Sequence, residues 1–232
     1  MTNKTKSAGR HQPRGIAILY EDRDILVIDK PPGLLTIATD RDEERTAYRI
    51  LTDYVRKGCA KSRNRVHIVH RLDRETSGIV IFAKSEEAQM YLQDHWPETE
   101  KTYLAVVHGR FAEKSGIISS HLAENSAFTV YSTPNAAEGK LSSTAYKVIR
   151  ETERFSLMEL RLLTGRKHQI RVHLADKGHP VVGDTKYGRK NDIHKRMGLH
   201  AKSISFKHPF SKKQLTFETA EPGYLGWLMG NA

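Results

Sequence analysis

The chain of 232 residues contains a single cysteine, Cys59, which excludes an intramolecular disulfide and a multi-cysteine zinc site. Its basic neighbours Arg56, Lys57 and Lys61 only weakly favour a reactive thiol, so Cys59 reads as incidental. No apolar run is long enough to span a bilayer, and the first residues lack the apolar centre of a signal peptide, so a cytoplasmic location is expected. There is no internal repeat, no low-complexity tract and no dividing linker. Acidic residues are outnumbered: 27 Asp+Glu against 38 Lys+Arg leave a formal charge of +11, the footprint of a partner made of phosphates. Nucleic acid comes first as that partner and anionic membrane second. A metal-dependent nuclease would need clustered carboxylates, which the basic motifs below do not supply.

The first fourteen residues, MTNKTKSAGRHQPR, are polar and basic and predict a flexible arm, leaving residues 15–232 as one catalytic-size domain. Ile16 to Tyr20 and Ile25 to Asp29 are β-branched runs flanking a charged turn, a hairpin pattern, after which Lys30-Pro31-Pro32-Gly33 forms a rigid loop. Apolar spacing predicts a helix over Thr46 to Lys57 ended by Gly58, then a solvated basic loop from Lys57 to Arg65. Ile79 to Ala83 reads as a buried strand, Ser85 as the start of a helix reaching about His95, and Lys101 to Val107 as a strand. Ala112 to Gly139 is loop-rich and weakly patterned. Strand patterns return at Ser143 to Ile149 and Phe155 to Leu163, followed by a helix over Arg166 to Lys177 that Gly178-His179-Pro180 stops. Leu199 to Phe206 and Gln214 to Glu218 read as a hairpin, and Leu225 to Met229 as a last helical turn. Strands outnumber helices and most connections are too short for parallel crossovers, which predicts a mixed, mainly antiparallel α+β fold.

The chemistry concentrates in His70 to Gly78, HRLDRETSG, where Asp73 lies between Arg71 and Arg74. Nearby positive charge favours an ionised carboxylate, and an oriented carboxylate can serve as a nucleophile. Most aspartates beside arginines, however, merely cap a turn or pair on the surface, and chemistry alone leaves that reading ahead. His168, His173 and His179 raise a metal reading, but a spacing of five does not align two ligands on one helix face, so structural or nucleic-acid-contacting roles are favoured and no metal site is expected.

The string HRLDRETSGIVIFAKS (His70 to Ser85) is one of five ordered blocks. The others are KTYLAVVHG (Lys101 to Gly109), TGRKHQIRVHL (Thr164 to Leu174), GHPVVGDTKYG (Gly178 to Gly188) and LHAKSISFKHP (Leu199 to Pro209). Together they resemble the RluA-type family of RNA pseudouridine synthases over nearly everything from Ile16 to Pro222. That resemblance implies a mixed, mainly antiparallel sheet split by a catalytic cleft with flanking helices, the pseudouridine synthase fold. It also implies isomerisation of uridine in structured RNA, ribosomal or transfer, with no cofactor and no metal. Asp73 is then the nucleophile, Tyr103 stacks on the target base and is the candidate to take the ring-carbon proton, and Arg171 pairs with the aspartate. RNA binding falls to Arg71, Arg74, Arg166, Lys167 and His168, with Arg71 a candidate to fill the gap left by a flipped base.

Detaching uracil and rejoining it through carbon needs a carboxylate, a proton acceptor, an ion pair holding the carboxylate charged, and an aromatic face for the unstacked base. Attack on the sugar, attack on the ring and assistance to loss of a sugar proton all meet the first requirement. Tyr103 also fits a core tyrosine on a buried strand. A non-catalytic RNA-binding protein or RNA chaperone with the same basic cleft is the alternative, and the presence of Asp73, Tyr103 and Arg171 together argues for the enzyme. Many members of the family carry a small RNA-recognition domain before the catalytic one. Asp73 lies too near the start for that, so recognition is expected from the catalytic domain, the arm and the basic loop. No obligate protein partner is implied, and a monomer is expected.

Overall fold

The structure, a computed structural model, describes residues 13–38, 45–59 and 61–230. Most of the arm expected at residues 1–14 therefore lies outside the described residues. The strands are β1 (Ala17–Glu21), β2 (Ile25–Lys30), β3 (His67–Ile68), β4 (Ser77–Ala83), β5 (Glu100–His108), β6 (Ser115–Glu124), β7 (Val130–Thr133), β8 (Lys140–Glu151), β9 (Phe155–Leu162), β10 (Leu199–Lys207) and β11 (Gln214–Glu218). The helices are α1 (Ala47–Arg56), α2 (Glu86–Asp94), α3 (Gln169–Asp176) and α4 (Gly223–Gly230). Every ladder whose register is resolved here is antiparallel, in line with the predicted α+β class. The chain gathers into two compact units, one up to Thr99 with Ile204–Thr219, the other Glu100–Ser203 with the residues from Ala220 onward.

In the first unit β1 and β2 form the expected hairpin. Its turn is closed by Asp22, whose Oδ1 accepts the backbone N–H groups of Asp24 and Ile25, each at 2.8 Å. β2 then pairs with β4, Ile28 opposite Val80, and both strands are buried on both faces, as their unbroken apolar runs require. Thr46 caps α1 by accepting from Arg49 N at 3.2 Å, and Lys57 ends that helix in the left-handed region. Ser85 caps α2 through Ala88 N at 3.1 Å, with Glu86 and Glu87 in the first turn where the helix dipole favours acids. One face of α2 packs Ala88 and Leu92 against Ile79, Ile81, Ile204 and Phe206.

In the second unit the strands run in the order β5-β9-β8-β6-β7, every neighbour antiparallel. α4 closes a core of Leu104, Val106, Phe155, Leu157, Val182, Leu225 and Leu228. The weakly patterned stretch from Ala112 to Gly139 is a correction: it contains β6 and β7. In β6 only Ile118 and Leu122 are buried, four residues apart, while Ile117 faces solvent, so no apolar alternation marks the strand. Backbone ladders to β7 and β8 on its two edges form it instead. α3 also starts three residues later than expected, because Arg166 N bonds the Gln169 side chain and His168 adopts φ 55°.

Candidate active site

Asp73 lies in the loop between β3 and β4, half-buried, with Arg71 and Arg74 exposed on either side. Three side chains brace this loop. Thr36, itself buried, uses one hydroxyl to accept from Leu72 N (3.2 Å) and donate to Leu72 O (2.9 Å). Lys30 is fully buried at the end of β2, and its ammonium donates to the carbonyls of Leu34 (2.7 Å), Arg74 (3.0 Å) and Pro31 (3.1 Å). Burial pushes the Lys30 pKa down to about 8, opposed by the carboxylates of Glu75, Asp73 and Asp29. His70 stacks on Trp96 with ring centroids 4.4 Å apart, and its Nε2 accepts from Ile81 N at 3.0 Å, which leaves that nitrogen unprotonated. Gly33 N also donates to Arg74 O at 2.9 Å, so the residues before and after Asp73 are both fixed through their backbone. An aspartate so held loses little further freedom on meeting a substrate.

In the second unit Tyr103 is a buried residue of β5, opposite Leu160 of β9. Lys101, two residues earlier and so on the same face, is also buried, and burial pushes its pKa down to about 8. Arg171 projects from α3 into a bidentate pair: Nε donates to Asp184 Oδ2 at 2.7 Å and Nη2 to Oδ1 at 2.8 Å. Asp184 also accepts the N–H groups of Lys186 (2.9 Å) and Tyr187 (3.0 Å). Burial opposes its charge, yet the guanidinium and these amides hold its carboxyl below the usual carboxylate range. The Arg171 guanidinium lies 5.0 Å from the centre of the Tyr187 ring, whose hydroxyl accepts from Val130 N (3.0 Å) and meets His168 Nδ1 (2.8 Å). Gly183 sets the turn into Asp184 at φ +74°, where a Cβ would lie 2.1 Å from Arg196 O, so only glycine fits.

Arg171 itself is anchored from below. Buried Gln169, two residues ahead, uses both ends of its amide: Oε1 accepts from Thr164 Oγ1 (2.8 Å) and Arg166 N (3.0 Å), and Nε2 donates to Thr144 Oγ1 (2.9 Å) and Ser143 O (3.0 Å). Residues 24–176 match the family model described as RNA pseudouridylate synthase. The chain belongs to the RNA pseudouridylate synthase family. It is 37% identical over 207 residues to an uncharacterized RNA pseudouridine synthase of Mycoplasma genitalium, covering 87% of this chain but 65% of that protein, so it spans just under two thirds of that relative's length. It is 33% identical over 228 residues to the tRNA pseudouridine synthase C of Haemophilus ducreyi, covering 86% of this chain and 88% of that one. Among solved structures, the human RNA pseudouridylate synthase domain containing 1 superposes with a TM-score of 0.72 at 28% identity, over 94% of this chain and 89% of that one. These matches agree with the RluA-type resemblance of the five sequence blocks.

Within this family chain, the expected residues divide between the units: Asp73, Arg71 and Arg74 in the first, Tyr103, Arg166, Lys167, His168 and Arg171 in the second. Sequence reasoning missed Lys30, Thr36, Asp184 and Tyr187. Lys30 carries one signal, a cation closing an apolar strand directly before Pro31-Pro32, and Asp184 and Tyr187 stand in the quoted block GHPVVGDTKYG without an assigned role. Thr36 has no signal at all. The three histidines each have a separate partner: His168 Tyr187, His173 Thr144 (2.9 Å) and His179 the carbonyl of His108 (2.8 Å). Among the described residues no helix is long and apolar enough to cross a membrane.

Proposed function

We propose that this chain converts uridine to pseudouridine in structured ribosomal or transfer RNA, acting in the cytoplasm as a monomer. The observation that carries the reading is the bracing of the HRLD loop, which fixes the backbone on both sides of Asp73 through Thr36 and Lys30. In the reaction the bond from the sugar C1′ to uracil N1 breaks, the base turns, and a bond from C1′ to C5 forms. The C5 proton leaves and N1 gains one, so nothing is added or lost overall. Asp73 supplies the nucleophile, Tyr103 the stacking face and the group within reach of the departing proton, and Arg171 the charge that keeps the nucleophile ionised. The target uridine leaves its stack to reach these groups, and Arg71 fills the space behind it. The formal charge of +11 supplies the phosphate attraction that positions RNA without specifying its sequence. The relative named for transfer RNA supports that substrate class. The test is to incubate the purified protein with RNA transcribed without modifications, and to map pseudouridine in RNA from cells with and without the gene. New pseudouridine at defined positions is expected in both; its absence from both overturns the reading.

A further inference from the structure

The turn between β6 and β7 presents an aromatic side chain to solvent in a way that local packing does not explain. Phe128 is 71% exposed and holds φ 56°, a left-handed conformation that a bulky residue rarely adopts. The tip that displays it is tied by its own hydrogen bonds. Asn125 Oδ1 accepts from Ala127 N and Thr129 N, each at 3.0 Å, and the backbone of Asn125 bonds Phe128 N (2.9 Å) and Thr129 O (3.0 Å). Lys186 Nζ donates to the Phe128 carbonyl at 2.8 Å. The turn therefore presents a large apolar ring to solvent.

The surroundings of the ring are cationic. Lys167 Nζ sits over one face, 5.3 Å from the ring centre, and is itself bonded to Glu124. Lys186 Nζ also lies 5.9 Å from the centre of the Tyr187 ring, whose hydroxyl meets His168. The hydrogen bond from Lys167 and the field of Lys167, His168 and Lys186 hold the Glu124 carboxyl below the usual range. Tyr187, next to Lys186, is the ring that carries Arg171, so the tip is coupled to the arginine of the proposed active site through contiguous residues.

We infer that Phe128 is a stacking platform for an unpaired base of the RNA substrate, with Lys167 and Lys186 receiving the adjoining phosphates. The inference rests on the RNA reading above and adds a recognition element to it. A lysine over one face and a base on the other make a three-layer stack, in which the cation strengthens the ring's hold and the neighbouring positive charge meets the backbone. A protein partner would need a wider apolar surface than one ring set among lysines, whereas an unstacked nucleotide matches both the ring and the charges. Because the platform reads a ring face, not a base edge, it favours unpaired over paired RNA without demanding one sequence.

The test compares the native chain with Phe128→Ala and Phe128→Trp, using fluorescence anisotropy of a labelled RNA hairpin with a uridine-rich loop and of a blunt duplex of the same length. Loss of a stacked base predicts about tenfold or greater weakening of hairpin binding for Phe128→Ala, near-native binding for Phe128→Trp, and little change for the duplex. Circular dichroism confirms that the variants fold. Equal hairpin affinity of Phe128→Ala and the native chain overturns the platform, as does an equal loss on the duplex. If instead the native chain binds neither RNA and forms no pseudouridine, the functional reading fails before the platform is reached.

Discussion

Arg171 and Asp184 form a buried two-bond fork, Nε to Oδ2 at 2.7 Å and Nη2 to Oδ1 at 2.8 Å, linking α3 to the turn that follows Gly183. An ion pair taken out of water contributes more to geometry than to stability, because desolvating both charges offsets most of their attraction. Breaking it from one side is another matter. Asp184→Ala removes both bonds of the fork together with the acceptor of the Lys186 and Tyr187 amides, and is expected to cost about 3–5 kcal/mol in urea denaturation. The double variant Arg171→Met with Asp184→Leu is expected to regain part of that stability, the Lys186 and Tyr187 amides still lacking their acceptor, while losing pseudouridine formation. Native turnover in the double variant would remove Arg171 from the mechanism.

Asp73→Asn keeps the shape of the side chain and removes its capacity as a nucleophile. Pseudouridine formation is expected to fall below detection while hairpin binding persists. Turnover by this variant, measured by mass spectrometry of the digested RNA, would rule out every route that begins at the carboxylate.

Lys30→Met retains the apolar stem of the lysine and removes the ammonium that ties Leu34 O, Arg74 O and Pro31 O together. The Leu34 carbonyl, the buried one of the three, is left unpaired at a cost of roughly 1–3 kcal/mol, while Arg74 O keeps the Gly33 N–H, so a fall in stability of about that size is expected. The loop that carries Asp73 should loosen with it. Faster amide exchange of Gly33, whose N–H is bonded to Arg74 O, is the signature; unchanged exchange there would show that Lys30 stabilises the unit without positioning the loop.

Acid should weaken the fold before the carboxylates titrate. Burial pushes the pKa of His200 down to about 4, with Arg196 adding to the effect, and burial lowers those of His108 and His173 as well. The unfolded chain takes up these protons as pH falls below about 6.5, and the folded chain resists. Protonation thus favours unfolding, so stability is fully present above about 6.5 and declines as pH falls toward 4. His200→Gln is expected to flatten this decline in thermal melts recorded across that window. An unchanged slope would assign the acid sensitivity to other groups.

Much of the fold is legible along the chain because its cause is local. The apolar runs of β2 and β4 announce burial on both faces, and Thr46 and Ser85 satisfy backbone donors within their own helices. Asp73 and Arg171 stand out through blocks of sequence that can be compared. β6 escapes notice because its pairing is made by backbone bonds, with only two buried side chains to reveal it. Phe128 escapes for a related reason: an aromatic in a polar turn reads as noise until its φ of 56° and its exposure are known.

The sequence by itself determined the charge, the apolar framework and the residues able to do chemistry, since these depend on residue identity and on periods of two to four positions. Only the tertiary structure decided partners. Lys30 serves the carbonyl of Arg74 forty-four positions on, Thr36 holds Leu72 across thirty-six, and Asp184 takes Arg171 across thirteen. No local rule selects such pairs, because a buried polar group bonds whichever complementary group the folded path brings within 3 Å or so.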